Sequence, residues 1–332
     1  MNQSSPFRIG IIGAGWIAEK MAITLNGMSP EVGITAYAIA SRSLEKAQSF
    51  ASKHNFAMAY GSYEDLVADP NVDLVYIATP HSEHYNNALL CLNANKPILC
   101  EKAFTACAWQ AEEIFRIAHE RNIFVTEAIW TRYMPFSKTI VDIANSGIIG
   151  DPKTITANLC YPNINKPRMY KPELAGGALL DLGVYTLNFA AMLFGSDIVS
   201  TTSSAILSSS GVDASNSIIL NYSDSRQAVL SSSNLVKSDR HGVISGSKGF
   251  IIVDNINNPN HIDIYGEDYK LIESHDCPPQ ITGYEYQVYA CKEAIQQGLI
   301  ESPYMPHAES LRIMHQMDNL RKEWGVKYPW DK

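Results

Sequence analysis

The chain has 332 residues, of which 46% are hydrophobic and 18% charged, as is typical of a folded protein of about two domains. Its net charge of −8 leaves no basic excess for binding a nucleic acid. The N-terminus has no charged segment followed by a long apolar run, so we expect no signal peptide and a cytoplasmic location. We find no apolar stretch of about 18 residues and expect no membrane span. No two cysteines have the C-x-x-C spacing of a metal or redox motif, so we expect reduced, mostly structural thiols.

Short apolar runs alternate with helical patterns over about the first 125 residues. Strands are predicted for FRIGIIG (7–13), GITAYAIA (33–40), DLVYIAT (73–79), PILCEK (97–102) and IFVTEAIW (123–130). Helices are predicted between them, and the spacing of Ser62 and Asp65 is that of a helix N-cap. This alternation favours a doubly wound parallel sheet, so we assign residues 1–128 to an α/β Rossmann domain.

The pattern changes after about residue 150. TITANLCY (154–161) alternates in the manner of a half-buried antiparallel strand, and a helix is predicted over 177–195. Six strand-like runs and two closing helices follow. We therefore predict an α+β domain over 129–332 with a large, mostly antiparallel, open-faced sheet, its final helices able to pack back on the Rossmann domain. The uncovered face of such a sheet predicts a homodimer.

A glycine-rich hexapeptide follows the first predicted strand and opens a helix. It runs from Gly13 through Gly15, Trp16 and Ile17 to Ala18, in the form G-x-G-x-x-A. Gly13 makes the tight turn, Gly15 admits the pyrophosphate, and small Ala18 permits close packing of helix on strand. The helix N-terminus supplies free N–H groups for the phosphates. This pattern predicts a bound dinucleotide.

The residues after the second strand bear on which dinucleotide binds. An NAD enzyme usually has an acid here for the ribose 2′-hydroxyl, but this chain has Ser41, Arg42 and Ser43. An arginine flanked by hydroxyl groups suits a 2′-phosphate. We therefore predict a preference for NADP(H) over NAD(H), the alternative being that Arg42 is a surface arginine in a turn.

Two more strand ends carry candidate site residues. Thr79, His81 and His84 follow one strand, and Glu101 and Lys102 end the next. Ligands of open α/β sheets bind at this carboxyl edge, so these residues are expected to line the cofactor crevice. A lysine here would orient a substrate hydroxyl and favour ionisation of a neighbouring acid. Structural histidines and a solvated lysine are the alternatives.

The helix predicted over 177–195 carries an acid and a phenol four residues apart, Asp181 and Tyr185. This spacing places them on one helix face, next to Gly176 and Gly177, which could let a cofactor or substrate approach. Oxidising an alcohol requires a base, and a phenol with a pKa of about 10 is a poor one unless positive charge is near. We therefore assign Tyr185 as the acid/base, Lys102 as its electrostatic partner and Asp181 as an orienting group.

These motifs resemble those of the glucose-fructose oxidoreductase / inositol dehydrogenase (Gfo/Idh/MocA) family. The resemblance rests on the glycine fingerprint, the E-K dipeptide ending a strand and G-G-x-x-x-D-x-G-x-Y on a helix, and it covers essentially the whole chain. Longer blocks, such as EAIWTRYMP and GGALLDLGVY, are similar to one NADP-dependent, dimeric branch of the family.

The resemblance implies a Rossmann domain, an open-faced sheet domain, NADP binding and dimerisation. It gives catalytic roles to Lys102 and Tyr185, with Asp181 in the active site. It also places several residues at or near the cofactor and substrate pocket: His81, His84, Trp130, Arg132 and Tyr284. Arg42 would contact the 2′-phosphate.

The chain departs from the family pattern after Lys102, where Ala103 stands in place of the usual proline. Without the fixed φ of proline, the turn is expected to be less rigid. The polar, proline-rich segment 161–174 is expected to help set specificity.

The sequence pattern is compatible with three functions. The first is an NADP(H)-dependent oxidoreductase that acts on a ring carbinol of a sugar, cyclitol or cyclic diol. The second is a catalytically weak NADP(H)-binding sensor on the same fold. The third, a metal-dependent hydrolase, has only the pair His81 and His84 as possible ligands. Retention of Lys102, Asp181 and Tyr185 favours the enzyme.

Overall fold

The computed structural model describes residues 6–332, which form two compact units. The first comprises the described residues up to Trp130 together with Gln280–Met314, and the second comprises Thr131–Pro279 together with His315–Lys332. The helices of the described chain are α1 Trp16–Gly27, α2 Leu44–His54, α3 Tyr63–Ala68, α4 His81–Asn93, α5 Ala108–Arg121, α6 Pro135–Ala144, α7 Pro167–Tyr170, α8 Val184–Phe194, α9 Glu285–Gln296 and α10 His307–Trp324.

The first unit contains a six-stranded parallel sheet with the order β3-β2-β1-β4-β5-β6. Its strands are β1 Phe7–Ile12, β2 Ile34–Ala40, β3 Met58–Tyr60, β4 Leu74–Ile77, β5 Ile98–Glu101 and β6 Val125–Ala128. β4 and β5 are buried along their whole length, as expected for parallel strands covered on both faces. The predicted Rossmann sheet is confirmed, and the reversal of strand order between β1 and β4 is where such folds bind dinucleotides.

The second unit contains an eight-stranded sheet with the order β14-β13-β12-β11-β7-β10-β9-β8. Its strands are β7 Pro152–Cys160, β8 Ile198–Leu207, β9 Asp213–Tyr222, β10 Gln227–Ser233, β11 Gly242–Gly246, β12 Gly249–Val253, β13 His261–Gly266 and β14 Leu271–Asp276. All neighbouring strands are antiparallel except β7 and β10. The predicted, mostly antiparallel sheet is confirmed, although β7 pairs in parallel on one side.

One face of this sheet is buried and the other is partly exposed. A row of side chains crosses the exposed face, in which Ile219 pairs with Val229, Val229 with Thr156, Thr156 with Val243, and Val243 with Ile252. Each of these side chains is at least partly exposed, whereas the alternate positions on the same strands are mostly buried. The exposed face therefore carries a band of β-branched side chains, four of them apolar and one a threonine.

The segment Pro172–Phe194 is long and apolar enough to span a membrane, contrary to the sequence expectation. However, 89% of its most apolar window is buried inside the protein. A helix inside a protein core has the same composition as a membrane span.

Candidate active site

The loop after β1 has a geometry that only glycine permits at its first position. Gly13 has a φ of +97°, and a Cβ atom there would lie 2.9 Å from the carbonyl oxygen of Ala78. At Gly15 an added Cβ would meet no atom within 4 Å, so protein packing does not require glycine there. Helix α1 begins after Gly15 without a side-chain cap, which leaves its first N–H groups available to phosphate oxygens. The loop therefore fits a dinucleotide pyrophosphate.

The other fingerprint residues divide between core and surface. Ala18 is fully buried and Ile17 packs against the core, which permits close contact between α1 and the sheet. Trp16 is 67% exposed, and the ammonium group of Lys20 lies 5.6 Å from the centre of its ring. Trp16 thus adds a large apolar surface beside the N-terminus of α1.

The turn after β2 leaves one cation unpaired. Ser41 is buried, and the hydroxyl of Ser43 accepts the Lys46 N–H at 3.3 Å as the cap of α2. Arg42 is exposed and has no ion pair within residues 6–332. Burial raises the pKa of Tyr63, and the charge of Arg42 acts against that rise, so the two side chains are close. Arg42 is therefore available to an external anion, whereas Ser43 serves the helix.

The two histidines after β4 contact the loop that contains Lys102. His81 Nε2 donates to the Lys102 carbonyl oxygen at 3.1 Å. The ring nitrogens of buried His84 lie 3.0 Å from the Ala103 carbonyl oxygen and 2.9 Å from that of Thr79. Burial lowers the pKa of His84, and a neutral ring donates from one nitrogen only. Both residues support the lysine loop, and their direct contact with a cofactor stays a prediction.

Two buried carboxylates complete the support of this loop. Glu101, at the end of β5, accepts a hydrogen bond from the Tyr76 hydroxyl. Glu127, which is 1% exposed, accepts the N–H of Phe104 at 3.1 Å and the hydroxyl of Ser310 at 2.8 Å. Sequence reasoning missed Glu127, although an acid inside the apolar run of β6 was a usable signal. The Lys102–Ala103 peptide bond is cis, and contacts with side chains hold this turn, in which the family proline is absent.

Two predicted pocket aromatics lie together in the first unit. The rings of Trp130 and Tyr284 are stacked, with centroids 4.1 Å apart and planes 6° from parallel. Trp130 is buried and Tyr284 is half-buried. The two residues, which are far apart in the sequence, are thus in contact in the structure. Their contact with a substrate stays a prediction.

The segment carrying Asp181 and Tyr185 is not one regular α helix, so the prediction of a helix over 177–195 was wrong in detail. Leu179–Gly183 forms a π-helical turn, in which the Val184 N–H reaches the Leu179 carbonyl oxygen, and α8 continues from it. Asp181 and Tyr185 are each 7% exposed. Single π-helical turns occur often at functional sites because they re-aim side chains within a helix.

The glycine pair before this turn serves the protein's own packing. A Cβ at Gly176 would lie 2.8 Å from the Met169 carbonyl carbon, and one at Gly177 would lie 2.3 Å from Asp213 Oδ1. Fully buried Asp213 accepts the Leu179 N–H at 2.8 Å. Burial raises the pKa of Asp213 to about 7. The space beside the two glycines is thus occupied by the backbone near Met169 and by the buried carboxyl group of Asp213. Neither contact was predicted from the sequence.

Two arginines bind polar groups of the π-helical turn and of α8. Arg168 donates to Asp181 Oδ1 at 2.9 Å, and this partner of Asp181 was also missed from the sequence. Arg132 Nε donates to Asn188 Oδ1 at 2.6 Å, and Asn188 in turn donates to the Val184 carbonyl oxygen at 2.7 Å. Arg132 thus contacts α8 in the second unit, and its predicted proximity to the cofactor stays a prediction.

Comparison with known proteins identifies both parts of the chain. Residues 7–128 match the oxidoreductase family with an NAD-binding Rossmann fold, and residues 138–252 match the GFO/IDH/MocA C-terminal domain. Trans-1,2-dihydrobenzene-1,2-diol dehydrogenase of Xenopus tropicalis is 38% identical over 96% of this chain and 98% of its own length. The enzyme of that name from Homo sapiens is 32% identical over 98% of this chain and 99% of its own.

Solved structures share the fold at lower identity. KijD10, a 3-ketoreductase from Actinomadura kijaniata in complex with NADP and TDP-benzene, has a TM-score of 0.86 at 24% identity, over 96% of this chain and 98% of the other. Levoglucosan dehydrogenase in complex with NADH and levoglucosan has a TM-score of 0.85 at 16% identity, over 97% and 98%.

These matches confirm that the chain is an NAD(P)-dependent dehydrogenase with nearly full-length similarity to trans-1,2-dihydrobenzene-1,2-diol dehydrogenases. The chain belongs to the Gfo/Idh/MocA family of oxidoreductases.

Proposed function

We propose that this protein transfers a hydride between NADP(H) and a ring carbinol of a sugar, cyclitol or cyclic diol. The observation that carries the proposal is the full-length similarity to dehydrogenases named for a cyclic vicinal diol, in a chain that retains Lys102, Asp181 and Tyr185. The levoglucosan complex of a structural neighbour supports the extension to sugars.

The proposed roles follow from what alcohol oxidation requires. When bound, the oxidised nicotinamide accepts the hydride from the carbinol carbon. The hydroxyl proton then needs a base, and Tyr185 takes it. The Lys102 ammonium favours that step because positive charge stabilises a phenolate. Asp181 orients the substrate, and in the reverse direction Tyr185 returns the proton to the carbonyl oxygen.

The preference for NADP(H) is supported by the turn after β2. Arg42 is exposed, is unpaired within the described chain and stands where an NAD enzyme usually has an acid. A guanidinium group binds a phosphate dianion through charge-assisted hydrogen bonds, and its gain from a ribose hydroxyl is much smaller. NADP⁺ should therefore have the lower KM.

The test is the near-ultraviolet absorbance of reduced nicotinamide, followed with NADP⁺ or NAD⁺ and a panel of aldoses, inositols and cyclic diols. NADP-linked turnover of one panel member is the expected result. Tight NADPH binding without turnover of any member would contradict the proposal and favour a sensor on the same fold.

We also propose a homodimer formed through the exposed face of the eight-stranded sheet. The band defined by Ile219, Val229, Thr156, Val243 and Ile252 would be covered by the same band of a second copy. Light scattering is expected to give a dimeric mass for the wild type. Val229→Lys, which places a charge within the band, should give monomers, and a dimeric V229K protein would refute this interface.

A further inference from the structure

Arg168 is held against Asp181 but uses little of its hydrogen-bonding capacity. One guanidinium nitrogen donates to Asp181 Oδ1 at 2.9 Å. The Asp181 side chain is 9% exposed, whereas that of Arg168 is 44% exposed. A guanidinium group has five N–H donors. Within residues 6–332, Asp181 is the hydrogen-bond partner of the Arg168 side chain. The other donors of Arg168 therefore face outward beside a proposed active-site acid.

The backbone around Arg168 is fixed to the same segment as Asp181. The Gly177 N–H donates to the Met169 carbonyl oxygen at 2.9 Å, and the Gly176 N–H to that of Lys171 at 3.1 Å. Met169 is fully buried. Because both its side chain and its adjoining backbone are anchored, Arg168 loses less conformational entropy on binding a ligand than a free surface arginine does.

We propose that Arg168 is a substrate-recognition residue that binds the oxygen on the carbon next to the reacting carbinol. A guanidinium group presents paired donors in a rigid fork, which suits two neighbouring oxygen acceptors. Cyclic diols, aldoses and inositols all carry such vicinal oxygens. Asp181 holds the Arg168 guanidinium in place and balances its positive charge. This ion pair explains how an arginine can lie beside an uncharged substrate.

This inference rests on the proposed function and narrows it to vicinal dihydroxy substrates. A simple ring alcohol lacks the second oxygen and so cannot gain from Arg168. The two kinds of alcohol therefore distinguish two roles of Arg168. Loss of substrate recognition would lower turnover of the diol alone, whereas a disturbed Asp181 would lower turnover of both alcohols.

The experiment compares trans-1,2-cyclohexanediol with cyclohexanol in the wild type and in the R168M, R168K and K153M variants. Lys153 serves as the control, since it is an exposed lysine of the same unit and lies outside the segment 161–174. R168M should lower kcat/KM for the diol by about tenfold to a hundredfold, the usual effect of losing a hydrogen bond to a charged group. For R168M, kcat/KM with cyclohexanol and the Kd of NADPH should be unchanged. R168K should have an intermediate kcat/KM for the diol, and K153M should match the wild type.

An equal loss with both alcohols would overturn the inference and make Arg168 a support for Asp181 alone. An unchanged kcat/KM for the diol would overturn it directly. If the wild type turns over neither alcohol, the proposed function fails for this class, and calorimetric binding of the diol to the NADPH complex decides the inference. Weaker binding to R168M than to the wild type supports it, while equal binding or no binding to either protein refutes it. Thermal melting of each variant excludes unfolding as the cause.

Discussion

Replacing Asp213 by asparagine should remove a pH-dependent loss of stability. Asp213 is fully buried, and its Oδ2 atom accepts the N–H of Leu179 and the amide of Asn216, each at 2.8 Å. Burial raises the pKa of this carboxyl from 3.8 to about 7, because the charged form loses its hydration. Asparagine has nearly the same shape, stays neutral and keeps one oxygen acceptor for the backbone N–H.

The sign and size of the effect follow from linkage. Because the pKa is higher in the folded state, folded Asp213 binds more protons than unfolded Asp213 between pH 3.8 and about 7. The free energy of unfolding therefore falls as the pH rises through this window. A pKa change from 3.8 to about 7 corresponds to about 4 kcal/mol. At pH above 7 the wild type should bear this cost in full.

The assay is urea unfolding of the wild type and D213N at several pH values across this window. The difference in stability between the two proteins should shift in favour of D213N as the pH rises, by up to about 4 kcal/mol. Asp197 is an exposed aspartate in the same unit, so D197N serves as the control for the loss of a surface carboxyl group. A constant difference between the wild type and D213N would refute the assignment of a raised pKa to Asp213.

Three further predictions concern the proposed chemistry. Tyr185→Phe and Lys102→Met should each lower kcat by about a hundredfold to ten-thousandfold, the range for losing an acid/base group. NADPH titration by fluorescence should give an unchanged Kd for Tyr185→Phe, and near-normal turnover in both variants would refute the roles. Arg42→Glu should raise the KM of NADP⁺ by about tenfold or more, because it removes the phosphate contact and adds a repelling charge. The KM of NAD⁺ should not rise, because an acid at this position can accept the ribose 2′-hydroxyl; equal losses with both cofactors would exclude a contact between Arg42 and the 2′-phosphate. Glu127→Gln leaves one side-chain oxygen, which cannot accept both the Ser310 hydroxyl and the Phe104 N–H without reorganising. The variant's kcat should therefore fall by about tenfold at constant NADPH affinity. An unchanged kcat would show that the Lys102 loop does not depend on Glu127.

The sequence predicted the elements whose signal lies in local apolar patterning. β1, β4 and β5 were found because buried parallel strands are short, continuous apolar runs. β3 was missed because it has three residues, and β14 because its side chains are mostly exposed. Neither strand has a periodicity that reveals it.

The candidate site followed a similar division. Side chains next to a motif, such as Lys102 after β5, could be placed from sequence because strand ends share one edge of the sheet. Arg168 and Asp213 could not, since their contacts with Asp181 and Leu179 depend on how distant segments pack. The glycine pair was noticed, but its cause was assigned to a ligand, whereas Met169 and Asp213 occupy the space around it.

Two buried carboxylates, Glu127 and Asp213, stand in comparable relation to the proposed catalytic residues. Glu127 accepts the N–H of the second residue after Lys102, and Asp213 accepts the N–H of the second residue before Asp181. Burying an acid costs free energy, and an apolar residue on the same strand would stabilise the fold more. An apolar residue, however, could not accept the Phe104 N–H in the turn after β5 or the Leu179 N–H at the start of the π-helical turn. The cost in stability at these two positions is therefore best explained by the need to fix Lys102 and Asp181. Variants that remove either acceptor should consequently lower turnover more than they weaken cofactor binding.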